Sequence, residues 1–350
     1  MYNPEEIEAQ RVDLREAVLH ARPFVPLYVK MKVFYGCNLK CEMCNHWRER
    51  REPPVSAERF KEIIGELGEL GTKKIHISGG EPLLRRDLPA LIERLARKPS
   101  IRDLAMTTNA VLLAPAVGDL KRAGLGRLTI SLDTLQRDRF IKLARFDELP
   151  RVLAGIDAAV DVFPGFKLDT VVIRGVNDDE ILPLLGFAKA RGAELRFIEY
   201  MDVGGATNWS MSQVVSRDDL LKTIGAHYGP AEPLGENSSA PADRYRLPDG
   251  TIFGIIASTT EPFCRACDRS RLTADGMWYL CLYAPSGTDL RAALRSGASP
   301  ADLAELVRRV WEGRADRGAE GRLAARDRES LIPLERLKRD PHLEMHTRGG

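Results

Sequence analysis

Short apolar runs, each followed by an amphipathic stretch, recur six times along the chain. The runs are "LYVKMKVFY" (27–35), "KKIHIS" (73–78), "IRDLAMTT" (101–108), "RLTISLD" (127–133), "KLDTVVIR" (167–174) and "ELRFIEYM" (194–201). Their length and their Val, Ile and Leu content predict β-strands covered on both faces. The stretches between them predict helices at 56–70, near 88–97, near 115–123, in segments ending near 161, at 179–191 and near 217–226. Ser56 is placed to cap the first. Six β-then-α units make an α/β fold with a parallel sheet and right-handed crossovers.

The pattern changes on either side of these units. Residues 1–26 read as a polar lead-in with one short helix. "YGPAEPLGENSSAPAD" (228–243) is rich in Pro, Gly and Ser and reads as a connector. "RYRLPDGTIFGIIAS" (244–258) reads as a hairpin turning at Pro248–Asp249–Gly250. A helical region (288–313) and an Arg-rich stretch follow. The expected organisation is a lead-in (1–26), a repeat region (27–227) and a C-terminal region (228–350).

Composition narrows the function classes. Hydrophobic residues make up 44% and charged residues 29% of 350, the balance of a soluble globular protein. Lys and Arg number 52 against 50 Asp and Glu. So neutral a balance gives no reason to expect DNA or a membrane surface as partner. No apolar run approaches a transmembrane span, and the acidic start is unlike a secretory signal. A cytoplasmic protein is expected, in which clustered cysteines bind metal or react rather than form disulfides.

The six cysteines fall into two triplets. Cys37, Cys41 and Cys44 have C-x3-C-x2-C spacing in "GCNLKCEMCNHW" (36–47), and Cys264, Cys267 and Cys281 have C-x2-C-x13-C spacing. Half a zinc site awaiting a distant fourth ligand, such as His46, is one reading of the first, and a zinc knuckle or a buried thiol cluster is one reading of the second. A four-iron cluster held by three thiolates, with one iron open to an external ligand, suits the spacing better. The second predicted strand ends in "SGGEP" (78–82). There Gly79 and Gly80 let a ligand approach the backbone and Glu81 adds an acceptor. Ligands of parallel βα folds collect at this end of the strands. Arg269 and Arg271 beside the second triplet suit an anionic ligand such as phosphate.

With the first triplet and GGEP, the chain resembles the radical S-adenosylmethionine enzymes. The resemblance implies a partial (β/α)6 barrel of TIM type with a C-terminal α+β extension. It also implies a [4Fe-4S] cluster on Cys37, Cys41 and Cys44, whose open iron is chelated by S-adenosylmethionine. One electron from the cluster then breaks the sulfonium bond and yields a 5′-deoxyadenosyl radical. The second triplet, followed by "LTADG" (272–276), together with "SLDTL" (131–135), "VVIRGVND" (171–178), Trp209 and the terminal Gly349–Gly350, is similar to the GTP 3′,8-cyclase family of molybdenum-cofactor biosynthesis. That implies a second [4Fe-4S] cluster on Cys264, Cys267 and Cys281, with GTP as substrate. Met43, Gly79, Gly80, Glu81, Ser131 and Met201 would then serve S-adenosylmethionine. Lys30, His76, Thr107, Lys167, Arg269, Arg271, Gly349 and Gly350 would serve GTP. An external one-electron donor such as flavodoxin or ferredoxin, and a homodimer, belong to the same expectation.

The chain departs from that family at several positions. Phe34–Tyr35–Gly36 replaces Thr-Asp-Arg before the first cysteine. Lys30 and His76 stand in place of nucleotide-contacting arginines, Met43 in place of an aromatic residue and Asp268 in place of Asn. Lys30 keeps its charge without a bidentate fork, and His76 is charged only when protonated. These changes leave room for a paralogue acting on another nucleotide or a sugar. A peptide or protein maturase, and an iron–sulfur electron carrier, are the remaining alternatives, the last with no use for GGEP.

Overall fold

The computed structural model describes residues 28–44, 56, 63–65, 67–68, 71–203, 209–235, 240–264, 267–323 and 334–339. Its centre is a run of six parallel strands in chain order: β1 (Tyr28–Lys32), β2 (Lys74–Ser78), β3 (Asp103–Thr108), β4 (Arg127–Ser131), β5 (Lys167–Val172) and β6 (Glu194–Glu199). Between them lie α1 (Leu88–Ala96), α2 (Leu113–Arg122), α3 (Arg137–Ala144), α4 (Leu149–Val162) and α5 (Ile181–Ala190), and α6 (Arg217–Tyr228) follows β6. These are the expected βα units of a partial barrel. Helical backbone at 63–65 and 67–68 falls inside the helix expected at 56–70. The rest of that helix, and the lead-in at 1–26, lie outside the described residues.

One expectation is corrected. The six strands are not apolar on both faces. In β1, Val29 and Met31 are fully buried against the helices, while Tyr28, Lys30 and Lys32 alternate with them on the other face. The same alternation gives Lys74 and His76 on β2, Thr107 on β3, Lys167 and Asp169 on β5, and Arg196 on β6. A closed barrel of this type fills its interior with branched apolar side chains. Here the inward face is polar and charged, which equips it to hold a polar ligand.

The C-terminal region completes the same sheet on both edges. The hairpin of β8 (Asp243–Arg246) and β9 (Ile252–Ile256) forms as expected, and β9 pairs parallel with β6. The connector contains a two-residue strand, β7 (Glu232–Pro233), on the outer edge of that hairpin. On the opposite side, β10 (Arg269–Leu272) pairs parallel with β1. Antiparallel β11 (Met277–Tyr279) and β12 (Thr288–Asp289) follow outward. The helical region expected at 288–313 divides into α7 (Leu290–Arg295) and α8 (Pro300–Glu312). Gly297 turns the chain at φ +83, and Ser299 caps α8 through a box with Asp302, with Pro300 opening the helix. Two further helices are α9 (Gly318–Leu323) and α10 (Leu334–Arg339). Among the described residues, no helix is long and apolar enough to cross a membrane.

Candidate active site

The topology places the two cysteine triplets at opposite ends of the inward face. Cys37 lies beyond the carboxyl end of β1. Cys264 and Cys267 precede β10, which runs parallel to β1, and Cys281 follows β11, which runs antiparallel to it. All three residues of the second triplet therefore lie at the amino end of the barrel strands. Five residues of β1 separate the two ends, roughly 16 Å at about 3.3 Å per residue.

The first triplet sits in a loop held from three sides. The amides of Lys40 and Glu42 donate to the carbonyls of Ala144 and Leu143 at the end of α3. Met43 packs with the cluster of Ile173, Tyr200, Trp209 and Val214, and the Trp209 indole donates to the Tyr200 carbonyl. On the third side the GGEP strand end is zipped to the loop entrance: the Gly80 amide donates to Phe34 and the Glu81 amide to Gly36. A Cβ on Gly80 would lie 2.2 Å from the Gly36 oxygen, and one on Gly79 would lie 2.6 Å from the Phe34 oxygen. The close backbone approach that requires these glycines is therefore the protein's own.

Glu81 is 1% exposed and turns its carboxylate inward rather than to the strand edge. Oε1 accepts from the Thr108 hydroxyl (2.7 Å) and the Leu83 amide (3.1 Å), and Oε2 accepts from the Asn109 amide (2.8 Å). Burial outweighs these bonds and raises its pKa to about 7. Asn109, which no spacing rule singles out, then reaches the first triplet. Its Nδ2 donates to Asn38 at 2.8 Å and lies 3.7 Å from the Cys37 sulfur. Asp133 is likewise missed by the sequence. It accepts from the Val171 amide at 2.8 Å, and burial raises it to about 6.

Among the described residues no disulfide joins any of the six cysteines. Burial pushes Cys37 up to about 11, and it pushes Cys41 well above the usual thiol range with help from the charges of Cys44 and Cys37. The three thiols thus feel one another, and metal ligation would supply the charge that favours their thiolates. In the second triplet burial would raise Cys267, but the guanidiniums of Arg269, Arg271 and Arg314 together hold it below the usual value. Arg314 also donates to the Cys267 carbonyl (3.0 Å) and lies 3.6 Å from its sulfur. The Tyr283 amide donates to Cys281 at 3.4 Å. Two sets of three cysteines outside any disulfide, each set met by N–H donors, fit thiolate-held iron–sulfur clusters.

Between the triplets lies a band of cations. Lys30 pairs across the strands with Arg271, and Tyr28 with Arg269. Arg271 is 7% exposed, and among the described residues its Nε has no hydrogen-bond partner. Arg269 lies over the Phe263 ring at 4.7 Å. Lys167, lowered to about 8 chiefly by burial, and Arg196 occupy the far side. Asp169, adjacent to both, is raised by burial.

The surroundings of His76 oppose its charged form. Burial, then the charges of Lys30, Lys74, Arg127 and Arg196, lower its pKa well below the ordinary value. Both ring nitrogens are already engaged, Nδ1 with the Tyr28 hydroxyl (3.0 Å) and Nε2 with Thr107 Oγ1 (2.7 Å). Ser131 is exposed at the end of β4 opposite Asp169, and Met201 is half-buried just after β6. Gly349 and Gly350 lie outside the described residues.

Two family models match the chain. The Radical SAM superfamily model matches residues 31–188, and the Molybdenum Cofactor Synthesis C model matches 193–320. The chain is 52% identical over 331 residues to GTP 3′,8-cyclase 3 of Mycobacterium bovis, covering 92% of this chain and 88% of that protein. It is 51% identical over 332 residues to GTP 3′,8-cyclase 1 of Mycobacterium tuberculosis, covering 92% of each. With the GTP 3′,8-cyclase of Aquifex aeolicus the identity is 38%, covering 90% and 94%. A crystal structure of Streptococcus suis SuiB bound to S-adenosylmethionine shares the fold at TM-score 0.63 and 15% identity, covering 92% of this chain and 74% of that one.

Proposed function

Because the chain belongs to the GTP 3′,8-cyclase family of radical SAM enzymes, we propose that it converts GTP to 3′,8-cyclo-7,8-dihydro-GTP in molybdenum-cofactor synthesis. The cofactors of that family are S-adenosylmethionine and two [4Fe-4S] clusters. Cys37, Cys41 and Cys44 would hold the first cluster, and Cys264, Cys267 and Cys281 the second. When bound, the first cluster with S-adenosylmethionine supplies the radical that abstracts hydrogen.

The observation that carries the reading is the β1–β10 pairing. It sets Arg269 and Arg271 beside Tyr28 and Lys30, on an inward face that ends in one triplet at each side. A triphosphate laid on this face would meet Lys30, Lys167, Arg269 and Arg271, and Arg271 has donors to spare. The polar face would hold the ribose and purine between the two triplets, inside the wall of barrel strands that would exclude water. Met43, Gly79, Gly80, Ser131 and Met201 are assigned to S-adenosylmethionine, with Glu81 acting through the loop it braces. Thr107, Gly349 and Gly350 are assigned to GTP. A flavodoxin or ferredoxin donor, a homodimer and a cytoplasmic setting complete the reading.

Anaerobic incubation of the reconstituted protein with S-adenosylmethionine, reductant and single nucleotides, followed by mass spectrometry, tests it. The expected result is 5′-deoxyadenosine together with cyclised product from GTP. Turnover of a different nucleotide or a sugar, with none of GTP, would make the protein a paralogue.

A further inference from the structure

Tyr28, His76 and Thr107 form a hydrogen-bonded chain across β1, β2 and β3, with links of 3.0 and 2.7 Å. Counting donors gives the chain a direction. In a neutral imidazole one nitrogen donates and the other accepts. Tyr28 is 7% exposed, and among the described residues its hydroxyl has no partner other than His76. A proton on Nδ1 would be donated to the Tyr28 oxygen and leave the buried Tyr28 hydrogen without an acceptor, which is costly. A proton on Nε2 removes the conflict: Tyr28 donates to Nδ1, and Nε2–H donates to Thr107. The Thr107 hydroxyl then has its acceptor role filled and its hydrogen left over. No acceptor for that hydrogen occurs among the described residues.

The position of Thr107 says where the hydrogen is available. Thr107 pairs with Thr129, and Thr129 with Lys167, along the inward face. A doubly protonated His76 would likewise leave the buried Tyr28 hydrogen without an acceptor, and burial and four cations, Lys30, Lys74, Arg127 and Arg196, oppose that form.

We propose that His76 is a positioning residue which, with Tyr28, holds the Thr107 hydroxyl as a hydrogen-bond donor to an acceptor atom of the nucleotide. The proposal rests on the nucleotide reading above and deepens it. At this point the pocket selects an acceptor, a ring nitrogen or an oxygen, and disfavours a donor. His76 therefore contributes to substrate choice through polarity rather than charge.

Anaerobic equilibrium binding of GTP to the reconstituted protein tests this. Thr107→Val and Tyr28→Phe should each weaken binding about tenfold, the equivalent of one hydrogen bond. Their combination should lose little beyond Thr107→Val alone, because both act through one hydrogen. His76→Leu should behave as Tyr28→Phe. His76→Gln, whose amide accepts from Tyr28 and donates to Thr107, should restore affinity to within about threefold. A purely structural role would not give that rescue. The ring nitrogens are read directly by nitrogen–proton correlation spectra of the same protein, with His76 assigned by its absence in His76→Gln. The Nε2–H tautomer is expected. An Nδ1–H or doubly protonated ring, or additive losses in the double variant, would overturn the proposal. If wild type bound no GTP, the nucleotide reading would fall, while the tautomer would still decide the relay.

Discussion

Lys30 faces Arg271 directly across the β1–β10 seam, and the guanidinium helps depress the ammonium. Burial is the larger cause, Arg269 adds to it, and together they bring Lys30 from 10.5 to about 7. Between those values the unfolded chain holds a proton that the folded protein has lost, so stability rises with pH across the window. Wild type should therefore gain stability relative to Lys30→Met between pH 7 and 10.5. For an anionic ligand the sign reverses. The nucleotide prefers the charged lysine, so its affinity should fall as pH climbs above about 7, and binding should take up a proton. Calorimetry in buffers of different ionisation enthalpy measures the uptake. Lys30→Arg, charged throughout, should remove it, and an unchanged uptake would assign the proton elsewhere.

Glu81→Gln should destabilise the protein by about 1–3 kcal/mol, because all three neighbours of the carboxylate are donors and the amide turns one acceptor into a fourth. The wild-type carboxyl, raised by burial from 4.5 to about 7, binds a proton in the folded state that the unfolded chain has lost. Its contribution therefore makes stability fall as pH rises between those values. The variant should lack that slope. Thermal melts at several pH values check both points.

Anaerobically reconstituted protein should contain close to eight irons, from two four-iron clusters. Replacing Cys37, Cys41 and Cys44 with Ala should leave about half and end 5′-deoxyadenosine formation. Replacing the second triplet should also halve the iron, but should spare cleavage of S-adenosylmethionine without substrate. Two zinc ions and no iron would refute the assignment.

Asp202 is fully buried beside Met201, accepting from Arg322 at 2.8 Å and from the Tyr283 hydroxyl at 3.3 Å. It ties the end of β6 to the segment after Cys281. Arg322→Ala would remove the cation paired with a buried carboxylate, at a cost of up to about 3–5 kcal/mol. A clear drop in melting temperature is expected, and Asp202→Asn with Arg322→Ala should recover part of it. A melt unchanged by Arg322→Ala would show that the pair is dispensable.

The six βα units were legible because each is local: a strand such as Lys74–Ser78 and the helix after it announce themselves within some twenty residues. Their inward face was also written in the chain, as the alternate positions of "YVKMK" and "KIHIS". The apolar positions are the stronger signal in these runs, so the charged ones alternating with them do not by themselves mark a polar face. β10 was not legible. "RSRL" (269–272) has no strand pattern of its own, and it becomes a strand through β1, which lies far upstream. His76 was visible as a titratable group. Its neutrality was not, since that depends on Tyr28, Thr107 and cations on β1, β2, β4 and β6.

The strand order has a consequence for synthesis. The strand made first ends up inside the sheet, and its outer neighbour β10 leaves the ribosome only after every other barrel strand. β6 similarly waits for β9. A nascent chain ending before Ile252 would thus expose two unpaired strand edges, β1 and β6, each open to pairing with another chain. Pairings this distant are slow to form. The segment that carries the second triplet therefore also closes the first-made half, and a fragment cut after α6 is expected to aggregate rather than fold as a minimal enzyme.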